Sequence, residues 1–174
     1  MQLQGLLMAA LQSLPDLIMS VLQMPLQAYA SIRGGDSYPD ISGRVAIYPF
    51  YNGSIIIAEI NNLPHATRFC DEKIYGFHIH EGARCQSDGQ SPFDLTGDHF
   101  DTDSCRHPSH TGDLPPLFAS DGYALLMFYT SRFYPEEVIG KTIIIHDMPD
   151  DFTTQPSGNS GQKIACGEIR EHMA

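Results

Sequence analysis

Short β-type runs, each closed off by turn residues, constrain this chain more than any other feature. Apolar or alternating stretches fall at Ala28–Ile32, Arg44–Pro49, Ser54–Ile60, Tyr75–His80, Tyr123–Tyr129, Thr142–His146 and Lys163–Ile169. Between them stand Gly34-Gly35, Asn52-Gly53, Asn61-Asn62, Asp121-Gly122 and Ser157-Gly158-Asn159. Such residues reverse a chain because they accept left-handed backbone or bond to their own main chain. Asn52-Gly53 between two of the runs predicts a hairpin. Seven or eight short strands in succession predict an all-β domain, a sandwich or a barrel. No internal repeat or low-complexity tract interrupts them.

Two segments depart from that texture. In residues 1–26, Leu3, Leu6, Leu7, Leu11 and Leu14, then Leu17, Ile18, Val21 and Leu22, recur at helical spacing. Ser13 is placed to cap a helix with Pro15 and Asp16 in its first turn, and Pro25 stops it. The expected organisation is a helical extension over 1–26, a β domain over 27–170 and a tail over 171–174. A helix of this kind packs on the main domain or on a second copy, which leaves a homodimer open. The second segment, Glu81–Pro116, shows little strand pattern and is rich in Gly, Asp, His and Cys. Loops of that length in compact domains tend to carry function.

Composition removes several classes of partner. The 174 residues hold 10 Lys plus Arg against 21 Asp plus Glu, a formal net charge of -11. The cations are scattered singly from Arg33 to Arg170, so the basic footprint of a nucleic-acid-binding protein is missing. No apolar run reaches the roughly 18 residues of a membrane span. Gly140-Lys141-Thr142 resembles the end of a phosphate loop, but Pro135 stands where its first glycine belongs. The four cysteines, Cys70, Cys85, Cys105 and Cys166, form no C-x-x-C pair and are compatible with two disulfides. Residues 1–32 carry no Lys or Arg, so the charged start of a secretory signal is lacking and the cytoplasm is the expected compartment. Two disulfides would instead support export.

The eight histidines sharpen the picture. In Gly76-Phe77-His78-Ile79-His80 two imidazoles stand at i and i+2, which on a strand places both on one face. His99 follows in Gly97-Asp98-His99-Phe100, then His107-Pro108-Ser109-His110-Thr111-Gly112-Asp113. Three imidazoles and a carboxylate form a donor set suited to tetrahedral zinc. His146 closes the apolar run Thr142–Ile145, while His65 and His172 read as surface residues.

These segments, with IIIHDMPDDF and GNSGQKIACGEI further on, resemble the signature blocks of copper/zinc superoxide dismutases. The resemblance runs in the family's order from about Ser31 to Ile169. It implies a Greek-key β-sandwich or flattened barrel of about eight antiparallel strands with long metal-binding loops. It also implies copper on His78, His80, His99 and His146, and zinc on His99, His107, His110 and Asp113, with His99 bridging. Four imidazoles suit Cu(II), and the mixed set suits zinc. Asp150 takes the position that hydrogen-bonds one copper histidine and one zinc histidine in the family. Cys85 and Cys166 match its intrasubunit disulfide. The blocks assign nothing to Cys70 and Cys105, which remain a candidate second bridge or two free thiols.

The implied activity is disproportionation of superoxide to O2 and H2O2, with His99 relaying a proton. A chain of net charge -11 must attract an anion through a local field. Where the family places an arginine, three residues before the last cysteine, this chain has Lys163. It keeps the charge without the planar fork, so weaker anion positioning is expected. His107 and His110 also stand closer together than in typical members, and Asp151–Gly158 shortens the channel loop. A metal-binding protein of the same fold without turnover is the alternative.

Overall fold

A computed structural model describes residues 24–65, 73–89 and 91–173. Nine strands occur among them: β1 (Ala28–Gly34), β2 (Ser42–Phe50), β3 (Gly53–Asn61), β4 (Ile74–Tyr75), β5 (Phe77–His80), β6 (Leu117–Phe118), β7 (Ala124–Thr130), β8 (Thr142–His146) and β9 (Lys163–Glu171). One helical turn, α1 (Pro135–Val138), joins β7 to β8. Seven strands form one antiparallel sheet in the order β5-β8-β9-β1-β2-β3-β7. The last strand, β9, returns to lie beside β1, so β9-β1-β2-β3 has the 4-1-2-3 order of a Greek key.

The small β4-β6 pair joins the sheet's two ends. β6 packs beside β7, and β4 runs into β5 through Gly76. The sheet therefore curls on itself as a flattened barrel, which leaves few strand edges open. Alternation sets its inside. Ala28, Ala30 and Ile32 of β1, Val45 and Ile47 of β2, Ile56, Ala58 and Ile60 of β3, Phe77 and Ile79 of β5, and Ile143 and Ile145 of β8 share one core. Burying each larger side chain contributes roughly 1.5–3 kcal/mol. A slip by one residue would turn that whole set outward. The same force therefore fixes which way the residues between them point, His78 and His80 included.

Several boundaries differ from the sequence expectation. The hairpin between β2 and β3 forms, but Phe50 pairs with Gly53, so Tyr51 and Asn52 make the turn, with Tyr51 at φ 48°. Gly53 is needed for another reason: a Cβ there would sit 2.1 Å from the Thr130 carbonyl oxygen on β7. The run over Tyr75–His80 is broken at Gly76 into two strands. β9 extends to Glu171, one residue into the expected tail. The helix expected within residues 1–26 lies outside the described residues apart from Met24, Pro25 and Leu26, which form none.

Candidate metal centre

β5 is an end strand of the large sheet, and its second edge is taken by the long loop rather than by another strand. His80 faces His99 and His78 faces Asp113 across that edge. The Phe100 N–H donates to the Ile79 carbonyl at 2.8 Å, and the Ile79 N–H donates to the Gly112 carbonyl at 2.8 Å. Ordinary strand-type bonding thus delivers two distant loop segments to the histidine strand. On the other edge His78 pairs with Ile144, and β8 continues two residues to His146 on the same face. Ile144 is fully buried yet stands apart from the barrel core, as a residue facing the loop side should.

Seven side chains are gathered in two groups. His78, His80, His99 and His146 each offer one ligand atom, all within 4.8 Å of one another. His99, His107, His110 and Asp113 do the same. His99 belongs to both. His80 Nε2 lies 3.4 Å from His146 Nε2. In the second group His99 Nδ1 is 2.7 Å from Asp113 Oδ1, while His107 Nδ1 and His110 Nδ1 lie 3.2 and 3.3 Å from Asp113 Oδ2.

The outward nitrogens are committed elsewhere. His80 Nδ1 is 2.9 Å from the Gly97 carbonyl and His146 Nδ1 is 3.4 Å from that of Gly161. Asp150 takes His78 Nε2 on one oxygen at 2.7 Å and His107 Nε2 on the other at 2.8 Å. Acceptors on these atoms assign the ring protons outward and leave lone pairs pointing into the groups. His78 Nδ1, His99 Nε2, His107 Nδ1 and His110 Nδ1 are buried with no hydrogen-bond partner. Buried polar atoms are seldom left so. All four belong to members of the two groups, and a four-imidazole set and a three-imidazole, one-carboxylate set fit copper and zinc respectively.

Electrostatics favour the ligand form of His78, His80, His146 and Asp113. Burial, then the neighbouring His99 and His146, hold His80 well below the ordinary histidine range. Burial, then His78 and His99, push His146 down to about 3. Burial also lowers His78 against the opposing pull of Asp150. For Asp113 burial acts upward, but the hydrogen bond from His99 and the surrounding imidazoles prevail and bring it to about 2. Asp150 is lowered likewise: burial opposes, while bonds from His78, the Phe152 N–H and His107 win.

Comparisons with known proteins agree with this geometry. Residues 41–169 match the copper/zinc superoxide dismutase family. The Cu-Zn superoxide dismutase of Deinococcus radiodurans is 32% identical over 153 residues, covering 76% of this chain and 79% of that one. The chain belongs to the copper/zinc superoxide dismutase family. A Cu/Zn superoxide dismutase structure from Brucella abortus shares the fold, with a TM-score of 0.67 at 24% identity over 81% of this chain and 98% of that one. A double mutant of a superoxide dismutase-like protein from Bacillus subtilis gives 0.65 at 27% identity, over 82% and 96%.

Beside the two groups, Cys85 and Cys166 form a disulfide that ties the long loop to β9. Cys105 is an exposed free cysteine, and Cys70 lies outside the described residues. His65 and His172 are exposed, away from both groups. The half-buried Lys163 ammonium donates to Thr96 Oγ1 at 2.8 Å, to the Gly97 carbonyl at 2.9 Å and to the Phe93 carbonyl at 3.5 Å. Gly97 O is also the acceptor of His80, so Lys163 braces the loop behind the first group. Burial lowers its pKa, and Asp98 and Asp94 oppose that shift. Sequence reasoning missed Gln155, whose amide exchanges bonds with the His107 backbone at 3.1 and 2.7 Å. The sequence marks Gly158 only as a turn residue, but a Cβ there would lie 2.0 Å from Asp150 Oδ1. Only a left-handed glycine, φ 67°, lets the chain pass so close.

Proposed function

We propose that this chain is a superoxide dismutase, holding copper on His78, His80, His99 and His146 and zinc on His99, His107, His110 and Asp113. The observation that carries the reading is His99, which belongs to both groups, with Nδ1 2.7 Å from Asp113 Oδ1 and Nε2 buried without a hydrogen-bond partner. When bound, copper would supply one-electron exchange with superoxide, and zinc would supply a fixed positive charge beside the shared His99.

The chain's own residues do the rest. Two superoxide ions and two protons become O2 and H2O2, so the reduced half needs protons at the moment the electron arrives. His99 is placed to hold one at Nε2 while Nδ1 stays engaged on the Asp113 side, and solvent gives the other. Asp150 keeps His78 and His107 in the tautomers the two groups require. Lys163 puts a positive charge one carbonyl away from His80. In a chain of net charge -11 that local field, not the surface as a whole, draws the anion in. Residues 27–170 form the catalytic unit. The Cys85–Cys166 bridge favours an oxidising compartment over the cytoplasm, and no helix among the described residues is long and apolar enough to cross a membrane.

A metal-binding protein without turnover is the second reading. It is favoured by Lys163, whose donors are spent within the protein. Metal analysis of the purified chain, paired with direct measurement of superoxide consumption, separates the two. One copper and one zinc per chain with rapid consumption supports the enzyme; full metal loading without consumption rejects it.

A further inference from the structure

We propose that Arg132 is a positioning residue for the zinc-binding group, a reading that rests on the metal assignment above. His107, His110 and Asp113 come from seven consecutive residues that run through no strand. Only its last two residues, Gly112 and Asp113, reach the β5 edge, so the stretch that carries His107 and His110 has no ladder. Three of its carbonyls turn to one cation instead. Arg132 Nη1 donates to His110 O at 3.0 Å and to Asp113 O at 2.9 Å, and Nη2 donates to Pro108 O at 3.1 Å.

The backbone that carries this exposed side chain is held in place. Arg132 stands two residues past the end of β7, and its backbone N–H donates to Thr130 Oγ1 at 3.2 Å. The next residue, Phe133, is buried in the core, and its carbonyl accepts from buried Ser54 Oγ at 2.9 Å. A rigid barrel corner thus sets the spacing of the loop. The planar fork of an arginine spans three carbonyls at once, which a lysine ammonium, a point donor on a flexible stem, does not reproduce. Arg132 touches no ligand side-chain atom in these bonds. It acts on the backbone beneath His110 and Asp113, so its effect falls on how well the zinc donors are arranged before any ion arrives.

The test uses the full-length metal-free chain and zinc alone, titrated against a competing chelator, for the unmodified protein, Arg132→Gln and Arg132→Lys. Copper affinity of the same proteins serves as the internal reference. Cobalt(II) placed in the zinc group reports tetrahedral geometry through its visible bands. Arg132→Gln is expected to weaken zinc by about tenfold or more and to alter the cobalt bands, with copper affinity changed far less. Arg132→Lys should recover part of the loss, and it carries the test if the glutamine variant does not fold. Zinc affinity within twofold of the unmodified chain overturns the proposal, as does an equal loss for both metals, which would mark general destabilisation. If the unmodified chain binds no zinc, the two-metal reading itself falls.

Discussion

Replacing Asp150 by alanine should weaken both metals together. Its two carboxylate oxygens each hold one imidazole N–H, His78 at 2.7 Å and His107 at 2.8 Å. All three side chains are almost wholly buried, at 0%, 0% and 2% exposure, so water does not screen the contacts. Hydrogen bonds to a charged group contribute about 1.5–3 kcal/mol each, roughly 3–6 kcal/mol for the pair if they act independently. Without the acceptor, each ring is free to turn or to move its proton to Nδ1, where a metal needs a lone pair. A loss of about 1.5–3 kcal/mol per group corresponds to roughly ten- to hundredfold in each metal's affinity. Asp150→Asn provides the control: an amide offers one oxygen, so only one of the two rings keeps its acceptor. Chelator competition for copper and for zinc on the two variants reads the effect. Wild-type affinity for either metal in Asp150→Ala would refute the claim that one carboxylate orients both groups.

Three further outcomes follow from the same contacts. Gly158→Ala should lower the melting temperature and loosen zinc, because the added Cβ would meet Asp150 Oδ1 at 2.0 Å and His107 Nε2 at 2.6 Å; a variant with unchanged melting and zinc affinity would contradict that packing. Metal-free protein should lose stability on acidification. Burial holds His78 and His80 below the ordinary value, and His146 at about 3, so between pH 6.5 and 3 the unfolded chain binds protons that the folded chain refuses. From pH 7 to 5 this removes about 2 kcal/mol per strongly shifted histidine, measurable by denaturant titration, and a flat profile would refute it. Lys163→Ala should slow superoxide consumption and flatten its dependence on ionic strength; a rate and salt profile equal to wild type would remove Lys163 from the anion's path.

The parts of the centre that the sequence reveals are those written at short range. His78 and His80 share a face because strand side chains alternate, and no tertiary information is needed to see it. His107, His110 and Asp113 stand within one turn-rich loop. What joins the two sets is the use of β5's second edge by residues 99–100 and 112–113, a pairing with no local signature, so the family's block order had to stand in for it. The two-residue strands Ile74–Tyr75 and Leu117–Phe118 are too short to show periodicity, although they close the barrel. The contacts of Arg132, Gln155 and Gly158 with the centre have no local signature for a related reason. Each acts on the centre through backbone or packing contacts across the fold. Lys163 was visible by position, but its engagement with Thr96 and Gly97 was not.

His99 is proposed to join the two groups into one centre. Electron paramagnetic resonance of Cu(II) in the first group, recorded before and after Co(II) fills the second, tests it directly. A shared imidazole couples the two ions, so the copper signal should collapse as cobalt is added. A copper signal that persists unchanged at full cobalt loading would show two separate sites and contradict it.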